Sequence, residues 1–197
     1  MFHIKVSPKN RLLLRAVLLV GVIFLISPAL ASDDPARCAV NGDALKAIVP
    51  AKTPVQPAAV EFFKADGSTM TLGDFKGRGV ILNFWATWCA PCVREMPELD
   101  ALSAALKNDG IDVLAVSTDR AGHTAIGSFY ERIGVRNLAS LHDPKSTAAR
   151  ALGVRGLPTT LIINPAGLEV ARIVGIHHYD TPESHAYFRR CIGPDRS

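Results

Sequence analysis

Val80-Ile81-Leu82-Asn83-Phe84-Trp85-Ala86-Thr87-Trp88-Cys89-Ala90-Pro91-Cys92-Val93-Arg94-Glu95-Met96-Pro97 is the stretch that decides the fold. Val80 to Trp85 is nearly all apolar, as a central strand covered on both faces would be. Two thiols three positions apart follow it. From there Val93, Met96, Leu99, Leu102 and Leu106 recur at helical spacing. Cys89 is therefore expected at a helix N-terminus, where unpaired N–H groups and the helix dipole favour a thiolate. Cys92 falls one turn further in on the same face, within reach to close a disulfide. Pro91 suits the first turn because its missing N–H has no intrahelical partner to lose. Pro97 is expected to kink the helix, having no N–H to return to the carbonyl of Val93.

Strands and helices alternate on either side of this unit. Val60-Glu61-Phe62-Phe63 and Thr69-Met70-Thr71, joined across Asp66-Gly67, read as a hairpin. Val113 to Val116 is a second buried strand, followed by a helix across 124–133 and a short one across 147–152 that ends at Gly153. Thr160 to Ile163 and Val170 to Val174 flank the turn Pro165-Ala166-Gly167. A closing helix over 183–191 has Thr181 as cap and Pro182 as its first position. The pattern predicts an α/β fold with a mixed central β-sheet flanked by helices. Residues 32–57 read as a lead-in, with a short helical stretch over 43–49 and an approach stiffened by Pro50, Pro54 and Pro57. The main domain is expected over 58–193.

The N-terminus supplies a compartment. Lys5, Lys9, Arg11 and Arg15 precede an apolar run from Ala16 to Ile26, then Ser27-Pro28 and Ala29-Leu30-Ala31. This order describes a secretory signal peptide cleaved after Ala31. Leu12 to Ala31 is also long enough for an uncleaved membrane anchor. In both readings the remaining chain is exported, to the periplasm or the outer face of the cytoplasmic membrane. Four of the 22 Lys and Arg residues lie in this segment, which leaves 18 cations facing 18 acids in the exported part. Such a balance offers no basic face for nucleic acid.

The run Leu72-Gly73-Asp74-Phe75-Lys76-Gly77, the stretch from Asn83 to Pro97, and Gly156-Leu157-Pro158-Thr159 together resemble the membrane-associated thioredoxin-like thiol-disulfide proteins of the TlpA and ResA kind. The cytochrome c maturation thioredoxins stand beside them. The resemblance covers 60–193. It implies a thioredoxin fold with an added N-terminal hairpin, and an exported reductant of disulfide-bearing partner proteins fed by an upstream membrane electron donor.

Cys89 is the expected attacking thiolate and Cys92 the residue that resolves the mixed disulfide. The two thiols carry this chemistry with no cofactor. Structural zinc, the other common use of CxxC, needs four ligands, and no second Cys or His pair at similar spacing is present. His177-His178 is expected to face solvent rather than to ligate metal. Glu95, three positions after Cys92, reads by itself as a solvated carboxylate beside Arg94. The resemblance implies instead an acid that holds or shuttles the proton of Cys92. It also implies a cis bond before Pro158, which would turn the backbone of Leu157 outward to pair with an extended partner segment. Trp88 is expected on the contact rim and Trp85 in the core.

Cys38 and Cys191 remain. In an exported chain they can form a structural disulfide tying the lead-in to the closing helix, or stand as two unpaired thiols. TlpA-like proteins resemble this chain in having a lead-in cysteine, but their second cysteine lies in the last hairpin, where this chain has Leu168. Taken together, the residues predict a thiol-disulfide oxidoreductase that reduces partners in cytochrome c maturation or metal-centre assembly. An oxidant of the DsbA kind and a copper-delivering carrier holding cuprous ion on the two thiolates are the alternatives.

Overall fold

The computed structural model describes residues 35–194. The expected targeting or anchoring segment, residues 1–31, lies outside them. No helix among the described residues is long and apolar enough to cross a membrane.

Strand β4 (Gly79–Trp85) is buried along its whole length. It runs parallel to β5 (Ile111–Ser117) and antiparallel to β7 (Thr159–Ile163). Its side chains alternate between two apolar clusters, as strand geometry requires. Ile81 and Trp85 belong to one cluster, with Met96, Leu99 and Leu102 from α1 (Ala90–Leu106) and Tyr187, Phe188 and Ile192 from α4 (Pro182–Ile192). Val80, Leu82 and Phe84 belong to the other, with Phe62 and with Ala148 and Ala149 from α3 (Thr147–Ala151). The near-continuous apolar run is thus a consequence of cover on both faces. Each fully buried aliphatic side chain contributes about 1.5–3 kcal/mol relative to exposure.

Among the described residues, eight strands form one mixed sheet in the order β1 (Ile48–Val55), β8 (Glu169–Val174), β7, β4, β5, β6 (Leu141–His142), β2 (Glu61–Lys64), β3 (Thr69–Thr71). Helix α2 (Gly122–Ile133) follows β5, and β8 (Glu169–Val174) pairs antiparallel with β7. The thioredoxin fold implied by the resemblance is present. The added hairpin is β2 (Glu61–Lys64) with β3 (Thr69–Thr71), joined to the sheet through β6 (Leu141–His142) at Phe63 and His142. Helix α1 continues past Pro97 to Leu106. At α4, Thr181 Oγ1 accepts the Ser184 N–H at 3.1 Å, the cap the sequence predicts. The end of α4 lies so close over β4 that a Cβ on Gly79 would collide with the Ile192 carbonyl.

The lead-in differs from expectation. Its helical turn covers only Asp43–Leu45, and Ile48–Val55 forms strand β1, antiparallel to β8. Ile48 is buried and Val49 exposed, so the short apolar stretch has strand alternation rather than helical spacing. Pro50 and Pro54 are tolerated because β1 lies at the sheet edge, where a missing N–H leaves no ladder partner empty. Strand β6 is only two residues long and carries no readable period.

Cys38 and Cys191 are joined as a disulfide with Cα atoms 4.5 Å apart. Around it, the Arg190 side chain donates to the carbonyls of Arg37 at 2.9 Å and Ala39 at 2.7 Å. Arg37 donates in return to the carbonyls of Arg190 at 3.0 Å and Gly193 at 2.8 Å. The start of the described chain is therefore tied to the end of α4 covalently and by reciprocal guanidinium contacts.

Candidate active site

Parallel pairing of β4 with β5, in register from Gly79 and Ile111 to Trp85 and Ser117, ends both strands side by side. The loop that leaves β4 therefore meets the loop that leaves β5, the place where open α/β sheets put their sites. Asp119 makes the junction. Its Oδ2 accepts the Thr87 N–H at 2.8 Å and the Ser117 hydroxyl at 2.7 Å, while Oδ1 accepts the Thr87 hydroxyl at 2.8 Å. The Thr118 N–H donates to the Trp85 carbonyl at 2.9 Å. Loop residues 86–89 are thus held by a buried carboxylate before the helix begins.

Cys89 is the N-cap of α1, with extended backbone, and Pro91 occupies the first turn. The Cys92 N–H donates to Cys89 Sγ at 3.3 Å, and the Val93 N–H donates to the Cys89 carbonyl at 3.0 Å. The two cysteines are bonded to each other, with Cα atoms 5.2 Å apart. Cys89 is 6% exposed and Cys92 1%, so the outer sulfur belongs to the residue at the helix end. Trp88 beside it is 72% exposed. Trp85 is buried and stacks on Tyr130, ring centroids 5.6 Å apart.

One turn inside the helix, Glu95 is only 2% exposed. The solvated reading of this residue does not apply. Its Oε1 accepts the His177 backbone N–H at 2.7 Å, while Oε2 is buried with no hydrogen-bond partner. Burial pushes its carboxyl up to about 7, with the nearby Glu98 charge adding to the rise and the His177 N–H and Arg94 opposing it. A carboxyl group poised near neutrality, three residues from Cys92 on one helix face, can take up or release a proton at physiological pH.

The Leu157–Pro158 bond is cis. Phe84 pairs with Thr159, and the same antiparallel register carried one residue further sets Pro158 opposite Trp85. Leu157 packs against both apolar clusters, including the one that holds Cys89 and Cys92. The Pro158 carbonyl accepts the Gly175 N–H at 2.9 Å. Leu157 and Pro158 thus stand at the same end of the sheet as the cysteine loop.

His177 departs from the sequence expectation. It is buried, with Nε2 3.0 Å from Ser184 Oγ, and burial pushes its imidazole down to about 4. The reason lies in the turn after β8, which folds inward to deliver the His177 N–H to Glu95. His178 is exposed and meets Glu98. Among the described residues, no group of three or more His, Cys, Asp or Glu is placed to hold a metal ion.

Sequence reasoning did not find Asp119 or the buried chain Asn83–Thr160–Tyr179. Asn83 Nδ2 donates to Thr160 Oγ1 at 2.9 Å, and Thr160 Oγ1 lies 2.6 Å from the Tyr179 hydroxyl. The available signals were an amide in the middle of an apolar strand and a Thr-Asp pair at the end of a central one.

Known proteins agree with this geometry. The profile described as the AhpC/TSA family matches residues 52–173. The chain is 36% identical over 121 residues to thiol-disulfide oxidoreductase ResA of Halalkalibacterium halodurans, covering 60% of this chain and 65% of that protein. It is likewise 36% identical over 120 residues to ResA of Bacillus subtilis, covering 58% and 66%. The matched stretch therefore spans just under two thirds of the length of these relatives. Among solved structures, the exposed lipoprotein thioredoxin of Streptococcus pneumoniae superimposes with a TM-score of 0.52 at 30% identity, covering 61% of this chain and 93% of that one. With more than half of its residues inside the matching profile, on the fold and around the cysteine pair just described, the chain belongs to the AhpC/TSA family.

Proposed function

We propose that this protein is an exported thiol-disulfide oxidoreductase that reduces disulfides in partner proteins, as cytochrome c maturation or metal-centre assembly requires. The observation that carries the reading is the Cys89–Cys92 disulfide at the N-terminus of α1, with the half-satisfied carboxyl of Glu95 buried one turn further along the same helix. The ResA relatives support the chemistry, and the exposed lipoprotein thioredoxin supports the compartment.

In the reduced state, Cys89 attacks one sulfur of the partner disulfide as a thiolate, stabilised by the helix N-terminus and by the Cys92 N–H aimed at its sulfur. A Cys89–partner disulfide forms, and the first partner sulfur leaves as a thiolate. Cys92 then gives its proton to Glu95 and attacks Cys89 Sγ. The Cys89–Cys92 disulfide closes and the second partner sulfur leaves, so the partner gains two electrons and this protein loses two. The partner segment lies against Trp88, Pro91 and Leu157, while Pro158, expected from the sequence to touch the partner, is buried and acts by holding the backbone of Leu157. An upstream membrane dithiol returns the pair to the reduced state.

Redox equilibration against dithiothreitol and glutathione buffers tests the direction. A potential more negative than the glutaredoxin range of about −200 to −230 mV supports a reductant. A value near the roughly −120 mV of a strong oxidant such as DsbA would reverse the assignment.

A further inference from the structure

The end of the sheet that carries Cys89 also carries three arginines on three separate segments. Arg94 lies in the second turn of α1, Arg120 in the loop between β5 and α2, and Arg155 in the loop before Pro158. All three are exposed. Among the described residues, none of them forms an ion pair.

Most carboxylates near this end of the sheet are hydrogen-bonded or buried. Asp119 is held by Thr87 and Ser117, and Glu95 is buried. Glu98 accepts the Tyr179 N–H at 2.8 Å, Asp180 pairs with His185, and Asp143 accepts the N–H groups of Thr147 and Ala149. The exported part of the chain is formally balanced, so the three exposed guanidinium groups do not reflect composition; they are charges left free to meet a partner.

A groove of about 550 Å³ is lined by Trp88, the residue before Cys89, and by Thr118, Asp119, Arg120, Ala121 and Ser146. It combines an exposed indole with a free guanidinium, the two side chains that most often anchor a partner at an interface. Guanidinium groups bind carboxylates through paired hydrogen bonds, and a field of one sign steers the opposite charge toward the site.

We propose that the disulfide exchanged at this site lies in an acidic segment of the partner protein. Asp or Glu residues close to the partner cysteine meet Arg120 and Arg155, and the segment between them lies along the groove against Trp88. The inference rests on the exchange activity proposed above.

Two synthetic peptides of equal length test it, each closed by one internal disulfide and flanked by Asp-Asp or by Lys-Lys. Second-order rates of reduction by the reduced full-length chain are measured for both, in the wild type and in R120E/R155E. The readout is the acidic-to-basic rate ratio, because effects of the substitutions on Cys89 itself cancel within it. The ratio is expected to fall at least about threefold in the variant, and the wild-type ratio to fall as NaCl rises from about 50 to 500 mM. Equal ratios in the two proteins overturn the acidic partner and leave the exchange activity standing. An unchanged ratio, together with binding to anionic phosphatidylglycerol vesicles that the variant loses, assigns the arginines to a lipid surface and also overturns it. Failure to reduce either peptide overturns the exchange activity instead.

Discussion

The Glu95 carboxyl accepts the backbone N–H of His177 at 2.7 Å through one oxygen and leaves the other buried without a partner. Two residues 82 positions apart are thereby joined, one of them a helical turn beyond Cys92. A single N–H is too little to offset the desolvation of a carboxylate, which is why the group titrates near neutrality.

The stability of the protein should record this directly. The folded-state value of about 7 lies above the ordinary 4.5, so the folded protein holds a proton that the unfolded chain releases between those values. Stability therefore falls as pH rises from about 4.5 to about 7, by up to about 3 kcal/mol from this group. Glu95→Gln removes the titration. Denaturant midpoints of wild type and variant should converge near pH 4 and separate toward pH 7.5, with the variant the more stable. Parallel curves across that range would show that the carboxyl is not desolvated.

The same substitution separates proton handling from folding. In the reduced protein, alkylation rates plotted against pH should lose an inflection near 7 when Glu95 becomes Gln. Superimposable profiles would remove Glu95 from the chemistry of Cys92.

Cys92→Ser leaves Cys89 able to attack and unable to be displaced. Mixed disulfides with partners should accumulate in that variant and be visible on non-reducing gels, whereas Cys89→Ser should trap nothing. Equal trapping by the two would exchange or abolish the roles.

Asp119→Ala removes the acceptor of three donors from Thr87 and Ser117. Leaving buried donors unsatisfied should cost about 2–4 kcal/mol, or roughly 4–16 °C in Tm for a domain of this size. The rate of disulfide exchange should fall as well, since the loop that sets Cys89 on the helix end loses its anchor. An unchanged melting curve would mean that the Thr118 contact to Trp85 suffices.

Mild reductant should open Cys89–Cys92 before Cys38–Cys191, because the N-terminus of α1 stabilises the Cys89 thiolate that reduction releases. Cys38→Ala with Cys191→Ala should lower Tm while exchange activity persists. Closing a loop of this length is worth about 5 kcal/mol at most in the chain-entropy account. Loss of activity in step with loss of stability would show that the tie also positions the site.

The sequence by itself determined the strand-loop-helix unit around Cys89 and Cys92. An apolar run, a thiol pair and a period of three to four residues are all local signals, and each points to the same geometry. The hairpin across 165–167 and the cap at Thr181 are legible for the same reason. Tertiary structure alone decided the rest. Whether Ile48–Val55 becomes a strand depends on β8, more than a hundred positions away, offering an open edge. The sequence places Glu95 on a helix face, but only the inward turn after β8 buries it and gives it the His177 N–H. Asp119 looks like any acid after a strand until parallel pairing sets the end of β5 beside the end of β4. In each case the deciding contact joins segments far apart in the chain, and a desolvated carboxylate or a paired strand edge has no local signature because its energy resides in the partner.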